Sequence, residues 1–133
     1  SRPYSIDFAY NKTGELLCAV PRLRMSVRGG EVSKSMTVKN EIYTWVWQYF
    51  NALPGAKGPI NLQCFLNLKT KEIVAGEINP RFASGNTLSH AAGANYSRYI
   101  VEEYLLSKTV LPITNWKENL LMLRYDEEIL IQR

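Results

Sequence analysis

Oxygen-bearing side chains recur at alternate positions in two nearby stretches of this chain. Asn61 and Gln63 lie in the first, and Glu77 and Asn79 in the second, with Arg81 two residues further on. One carboxylate among several amides is a donor set for a hard cation. Mg²⁺ takes oxygen ligands and commonly keeps phosphate oxygens among them. A guanidinium beside such a set can grip a phosphate or carboxylate through its planar fork. The chemistry these residues could do is therefore the handling of a metal-bound anion.

Two strands would have to position them. Ile60 to Leu66 and Glu72 to Asn79 read as extended runs, joined through Lys69-Thr70-Lys71. A three-residue loop would put Leu68 opposite Glu72. Gln63 would then lie opposite Glu77, Asn61 opposite Asn79, and Phe65 opposite Ala75. Strand alternation sends all of these to one face, with Ile73 beside them. The other face would hold Ile60, Leu62, Cys64, Leu66, Val74 and Ile78, a core surface. Cross-strand neighbours stand roughly 5 Å apart, within reach of one ion. A solvated polar face is the alternative, and a slip of one residue would turn the polar groups inward.

The rest of the chain supplies the frame. Tyr4 to Tyr10 alternates, with Tyr4, Ile6, Phe8 and Tyr10 on one side and Ser5, Asp7 and Ala9 on the other. Asn11 to Gly14 is a turn, and Glu15 to Val27 a second extended run. Pro21 suits an edge or bulge there. Arg22, Arg24 and Arg28 share one side of that run, as an anion-facing stripe or as the charged guard of an edge strand. Residues 31–40 are polar and read as loop. Asn40 can cap a helix reaching to about Leu53, with Ile42, Trp45, Val46, Tyr49 and Leu53 on one face. A short helix over Thr87 to Ala92 and a second from Asn95 to about Ser107 follow, the latter burying Tyr99, Ile100, Tyr104 and Leu105. Leu120 to Tyr125 and Glu128 to Gln132 read as terminal strands. This order predicts an α+β fold with a largely antiparallel sheet.

Composition narrows the function classes. The 133 residues are 46% hydrophobic and 21% charged, the balance of one globular domain. No apolar run approaches the roughly 20 residues of a membrane span, and no apolar secretion core opens the chain. A cytoplasmic protein is expected. The missing initiator Met suggests an excised piece. Cys18 and Cys64 are too few for a disulfide framework and lack zinc-ligand spacing, so both read as buried thiols. The net charge is +4. Residues 1–81 carry eleven basic and six acidic groups, so the excess sits there. Such a field suits a nucleotide or carboxylate. No dense Lys/Arg cluster or nucleic-acid module is present, and neither nucleic acid nor membrane is expected as a partner. His90, the single histidine, has no nucleophile pattern near it and reads as structural. Trp45 and Trp47 read as packing residues.

The chain resembles the C-terminal lobe of ATP-grasp ligases, and among them the carbamoyl phosphate synthase large-subunit-like proteins. The resemblance is carried by Glu77-Ile78-Asn79-Pro80-Arg81, by Gln63 after Gly58-Pro59-Ile60-Asn61-Leu62, by Phe82-Ala83-Ser84-Gly85-Asn86, and by Ala91-Ala92-Gly93-Ala94-Asn95-Tyr96. Tyr4-Ser5-Ile6-Asp7 and Val27 to Lys34 fit the same pattern. It implies helices packed on one face of the sheet. It implies a lobe over residues 1–113, with 114–133 as a terminal strand extension of the same domain.

It further implies that Glu77 and Asn79 bind Mg²⁺ on ATP, with Gln63 on the metal or phosphate side. Arg81 would meet the γ-phosphate or an acyl phosphate, and Phe65 would lie against adenine. Arg28 and Lys34 fall in the family-like segment and are candidate nucleotide-binding residues. The implied partners are ATP, a small carboxylate, and upstream lobes that supply a lid and a nucleotide-binding lysine. Without those lobes the chain is expected not to ligate alone. The rival reading is a non-catalytic binding or oligomerisation domain, for which a homo-oligomer on an exposed sheet face is one form.

Overall fold

A computed structural model describes all of residues 1–133. Six strands form one sheet: β1 (Arg2–Tyr10), β2 (Leu16–Arg28), β3 (Glu31–Thr37), β4 (Gly58–Leu66), β5 (Ile73–Asn79) and β6 (Leu121–Leu123). Their spatial order is β5-β4-β1-β2-β3-β6, and every neighbouring pair is antiparallel. Helices α1 (Glu41–Tyr49), α2 (Asn86–Ala91) and α3 (Tyr96–Ile100) complete the fold, and a π-helical turn over Val101–Leu105 extends α3. The α+β class with an antiparallel sheet is as the sequence predicts.

Helices cover both faces of the sheet, not one. Tyr4, Ile6, Phe8 and Tyr10 of β1 pack with Ile60, Leu62, Cys64 and Leu66 of β4 beneath Ile42 and Val46 of α1. The opposite face joins Ala9, Leu17, Cys18 and Val20 to Ala92, Ala94, Tyr96 and Tyr99. Only Ala9 of β1 and Leu17, Cys18 and Val20 of β2 make this second apolar patch, which α2 and α3 bury; Ser5 and Asp7 are the buried polar members of the same face. β1 is consequently enclosed on both sides, and Asp7, in its middle, must find its partners inside the protein.

Several boundaries differ from the sequence reading for local reasons. Residues 31–37 are strand rather than loop. Their polar side chains are spent internally, with Ser35 Oγ donating to Leu23 O at 2.9 Å and Thr37 Oγ1 to Lys117 O at 2.7 Å. Because β3 flanks it, β2 is an interior strand. Pro21 is fully buried there, and its carbonyl accepts from Val38 N at 3.0 Å. The nitrogen without a proton faces that same side, where β3 has already ended, so no ladder bond is lost.

Asn40 caps α1 by accepting from Ile42 N at 3.1 Å. The helix stops at Tyr49, short of Leu53, and Asn51 O beyond it accepts from Leu16 N at the start of β2. Asn95 caps α3 by accepting from Arg98 N. Tyr96 and Glu103 are buried beyond it, while Tyr104 and Leu105 are exposed. Of the terminal segment, Trp116 enters the second core and Leu121–Leu123 pairs with β3. Glu128 to Gln132 forms no strand, and Ile129, Leu130 and Ile131 are exposed.

Candidate active site

The β4–β5 hairpin contains a bulge at the predicted site. Asn61 opposes Asn79 and Leu62 opposes Ile78, as expected. Cys64 then pairs with Ala75, Phe65 with Val74 and Leu66 with Ile73. Gln63 therefore faces two β5 residues, Gly76 and Glu77, and Phe65 does not lie opposite Ala75. A bulge re-aims side chains locally and is common beside functional sites. Ile73 rather than Val74 packs on the core. Val74 and Ile78 are half exposed, because β5 is the sheet's edge and no helix covers it.

Beside the hairpin, a buried polar network forms the floor of a cleft. Arg22 Nε donates to Asp7 Oδ2 at 2.7 Å, and its Nη2 donates to Oδ1 at 3.1 Å. Asn61 Nδ2 donates to Asp7 Oδ1 at 2.9 Å, and Ser89 Oγ donates to Oδ2 at 2.5 Å. The two charged side chains are 1% and 3% exposed. Such a pair is tolerable inside a protein only with its remaining hydrogen-bonding positions filled. Here β1, β2, β4 and α2 all contribute to filling them.

Above this floor, Arg24, Gln63, Arg81, Ser84 and Gly85 line a cleft of about 100 Å³. Arg24 Nη1 donates to Gln63 Oε1 at 3.2 Å. No carboxylate lines the cleft. Asp7 neutralises Arg22, while Arg24 and Arg81 have no acidic partner. The cleft therefore carries positive charge on a rigid floor, which suits an anion with several oxygens.

The sequence-predicted residues distribute unevenly around it. Gln63 and Arg81 are brought together in the cleft wall. Asn79 is half-buried across from Asn61, and Glu77 is exposed beside the bulge without an ion-pair partner. Phe65 is half exposed, its ring beside the space a Cβ at Gly76 would fill. Arg28 lies apart, in a second cleft with Glu31 and Arg124, and donates to Asp126 at 2.9 Å. Lys34 is exposed, and alternation with the adjacent Ser35, which opposes Arg24, puts it on the other face of the sheet. Ser5, Ser84 and Ser89 join the site without having been singled out. Serines carry little signal in a sequence, although Ser5 shares the strand side of Asp7.

Burial pushes the Cys18 thiol up to about 12 and raises Tyr96 well above its usual range. Tyr96 Oη instead donates to the carbonyl of Asp7 at 2.6 Å. No three His, Cys, Asp or Glu side chains cluster to hold a metal by themselves. One carboxylate with two amides, all oxygen donors, fits a hard cation whose shell is completed by an anion's oxygens.

A family model for ATP-grasp in the biosynthetic pathway with Ter operon matches residues 1–126. The chain belongs to this ATP-grasp family. No curated protein matches its sequence. Among solved structures, the ATP-grasp lobe is similar to pyruvate carboxylase from Rhizobium etli (13% identity, TM-score 0.61), covering 90% of this chain and 13% of that one. It is similar to the urea carboxylase of Kluyveromyces lactis (11% identity, TM-score 0.65), covering 90% of this chain and 11% of the enzyme. A third likeness is to N5-carboxyaminoimidazole synthetase from Staphylococcus aureus complexed with ADP (13% identity, TM-score 0.56), covering 92% and 34%. The chain thus spans at most about a third of these structures, and at such identities the likeness concerns the fold. No helix of the lobe is long and apolar enough to cross a membrane.

Proposed function

We propose that this lobe binds the polyphosphate end of Mg-ATP for an ATP-dependent carboxylate ligase. The observation that carries the reading is the arginine-lined cleft beside a bulged strand bearing Glu77 and Asn79. In this reading Arg81 and Arg24 would meet the transferred phosphoryl group, and Gln63, which accepts from Arg24, would serve the metal beside them. Glu77, Asn79 and Gln63 would hold Mg²⁺. Bound there, the ion would neutralise phosphate charge as it shifts during transfer. Phe65 would cover the adenine, and the buried floor would keep the arginines from reorganising as charge develops.

The reaction class is activation of a carboxylate as an acyl phosphate, followed by displacement of phosphate by a nucleophile. The carbamoyl phosphate synthase-like pattern of Gln63 with Glu77 and Asn79 supports this class. Arg28 and Lys34 lie away from the cleft and would act, if at all, at the edge of the nucleotide site. The carboxylase and synthetase neighbours support a ligase in the intact polypeptide. The lid and the nucleotide-binding lysine come from its other lobes, so the isolated lobe completes no ligation.

The test is Glu77→Ala combined with Asn79→Ala in the intact protein. Mg²⁺-dependent ATP affinity is expected to fall by about tenfold or more, since a charged ligand is lost. Circular dichroism and melting should stay close to those of the unmodified protein, both residues being on an edge strand. Unchanged ATP affinity would remove the metal assignment.

A further inference from the structure

The buried pair and the cleft above it meet at one residue, Gly85. Its φ of −86° is ordinary, so backbone freedom does not require glycine there. Space does. A Cβ at Gly85 would overlap Nη1 of Arg22 and stand 2.8 Å from Cζ. The guanidinium cannot swing away, because Asp7 holds it through two bonds and is itself fixed by Asn61 and Ser89. Gly85 begins the turn into α2, and its carbonyl accepts from Leu88 N at 3.1 Å. Four residues earlier, Arg81 N is tied to Asn79 O at 2.8 Å. The short segment 81–85 is thus pinned at one end to β5 and seated at the other on Arg22.

We propose that the Asp7–Arg22 pair positions the anion cleft: it is the fixed seat on which Gly85 rests, and it thereby sets where Arg81 and Ser84 face Arg24. This rests on the reading that Arg81 meets phosphate. Asp7 and Arg22 are positioning residues, acting through the loop. Replacing the pair by something softer would let the loop drift, and Arg81 would lose its alignment with Arg24. The adenosine end of the nucleotide would be unaffected.

The experiment measures ATP and AMP affinities of the intact protein by titration calorimetry with Mg²⁺ present. Gly85→Ala and Asp7→Asn are each expected to weaken ATP by about tenfold or more, the scale of a charge-assisted hydrogen bond. AMP affinity should stay within about twofold, below the scale of one hydrogen bond. Ser89→Ala removes a single bond to Asp7 and should shift the ATP-to-AMP ratio in the same direction by a smaller factor. It decides the question if the other two variants do not fold. Equal loss for ATP and AMP, or no loss for ATP, overturns the positioning role. Arg81→Ala separates the two claims. If it leaves the ratio unchanged, the phosphate reading fails. If it lowers the ratio while the Gly85, Asp7 and Ser89 variants do not, the positioning proposal fails alone. An unmodified protein that binds no ATP overturns both.

Discussion

Two arginines of β2 form ion pairs with aspartates, and they teach opposite lessons. Arg22 with Asp7 is 1% and 3% exposed, bidentate, and supported by Asn61 and Ser89. Arg28 with Asp126 makes one contact of similar length but is 60% and 81% exposed. Distance does not separate them, since both closest contacts lie within 0.2 Å of each other at 2.7 and 2.9 Å. Solvent does. Water screens the outer pair and competes for its hydrogen bonds, whereas the inner pair sits where an unmatched charge is costly.

Asp7→Ala should therefore have the largest effect. It leaves a buried guanidinium without its counter-charge, and a loss of about 3–5 kcal/mol is expected in urea unfolding. A loss below about 1 kcal/mol would mean that water reaches the pair.

Alkali should sharpen the same contrast between interior and surface. Burial holds the thiols of Cys18 and Cys64 at about 12, against an ordinary 9.0. Above pH 9 the unfolded chain gives up protons that the folded one keeps, so stability should fall as pH rises from about 9 towards 12. Iodoacetamide at pH 8 should leave both thiols unmodified until the chain unfolds. Alkylation of the folded protein would contradict their burial.

Asp126→Asn should have the smallest effect, within about 0.5 kcal/mol and diminishing further in salt. A cost near that of Asp7→Ala would mean that the exposed pair is no better screened than the buried one.

The hairpin and its donor residues were legible because alternation is local, but the count began one residue out: Asn67, not Leu68, bonds to Glu72, and the bulge restores Asn61 opposite Asn79. The bulge was not legible, since an extra residue in β5 depends on packing across the strand rather than on the loop. β3 hid for a related reason. Its Ser35 and Thr37 look like loop residues until Leu23 O and Lys117 O are seen to accept from them. Pro21 argued for an edge because a sequence cannot show that β3 ends where its missing proton would point. Of the arginine stripe of β2, Arg22 and Arg24 share the cleft, and the register break after Arg24 sets Arg28 apart. Which member is buried was not legible, because Asp7 reaches Arg22 only through the β1–β2 register.

A crystal structure of the intact protein with ADP and Mn²⁺ should show phosphate oxygens between Arg24 and Arg81, with an anomalous Mn²⁺ peak bounded by Glu77, Asn79 and Gln63. Nucleotide phosphates seated away from both arginines, with Glu77 free of metal, would contradict the proposed site.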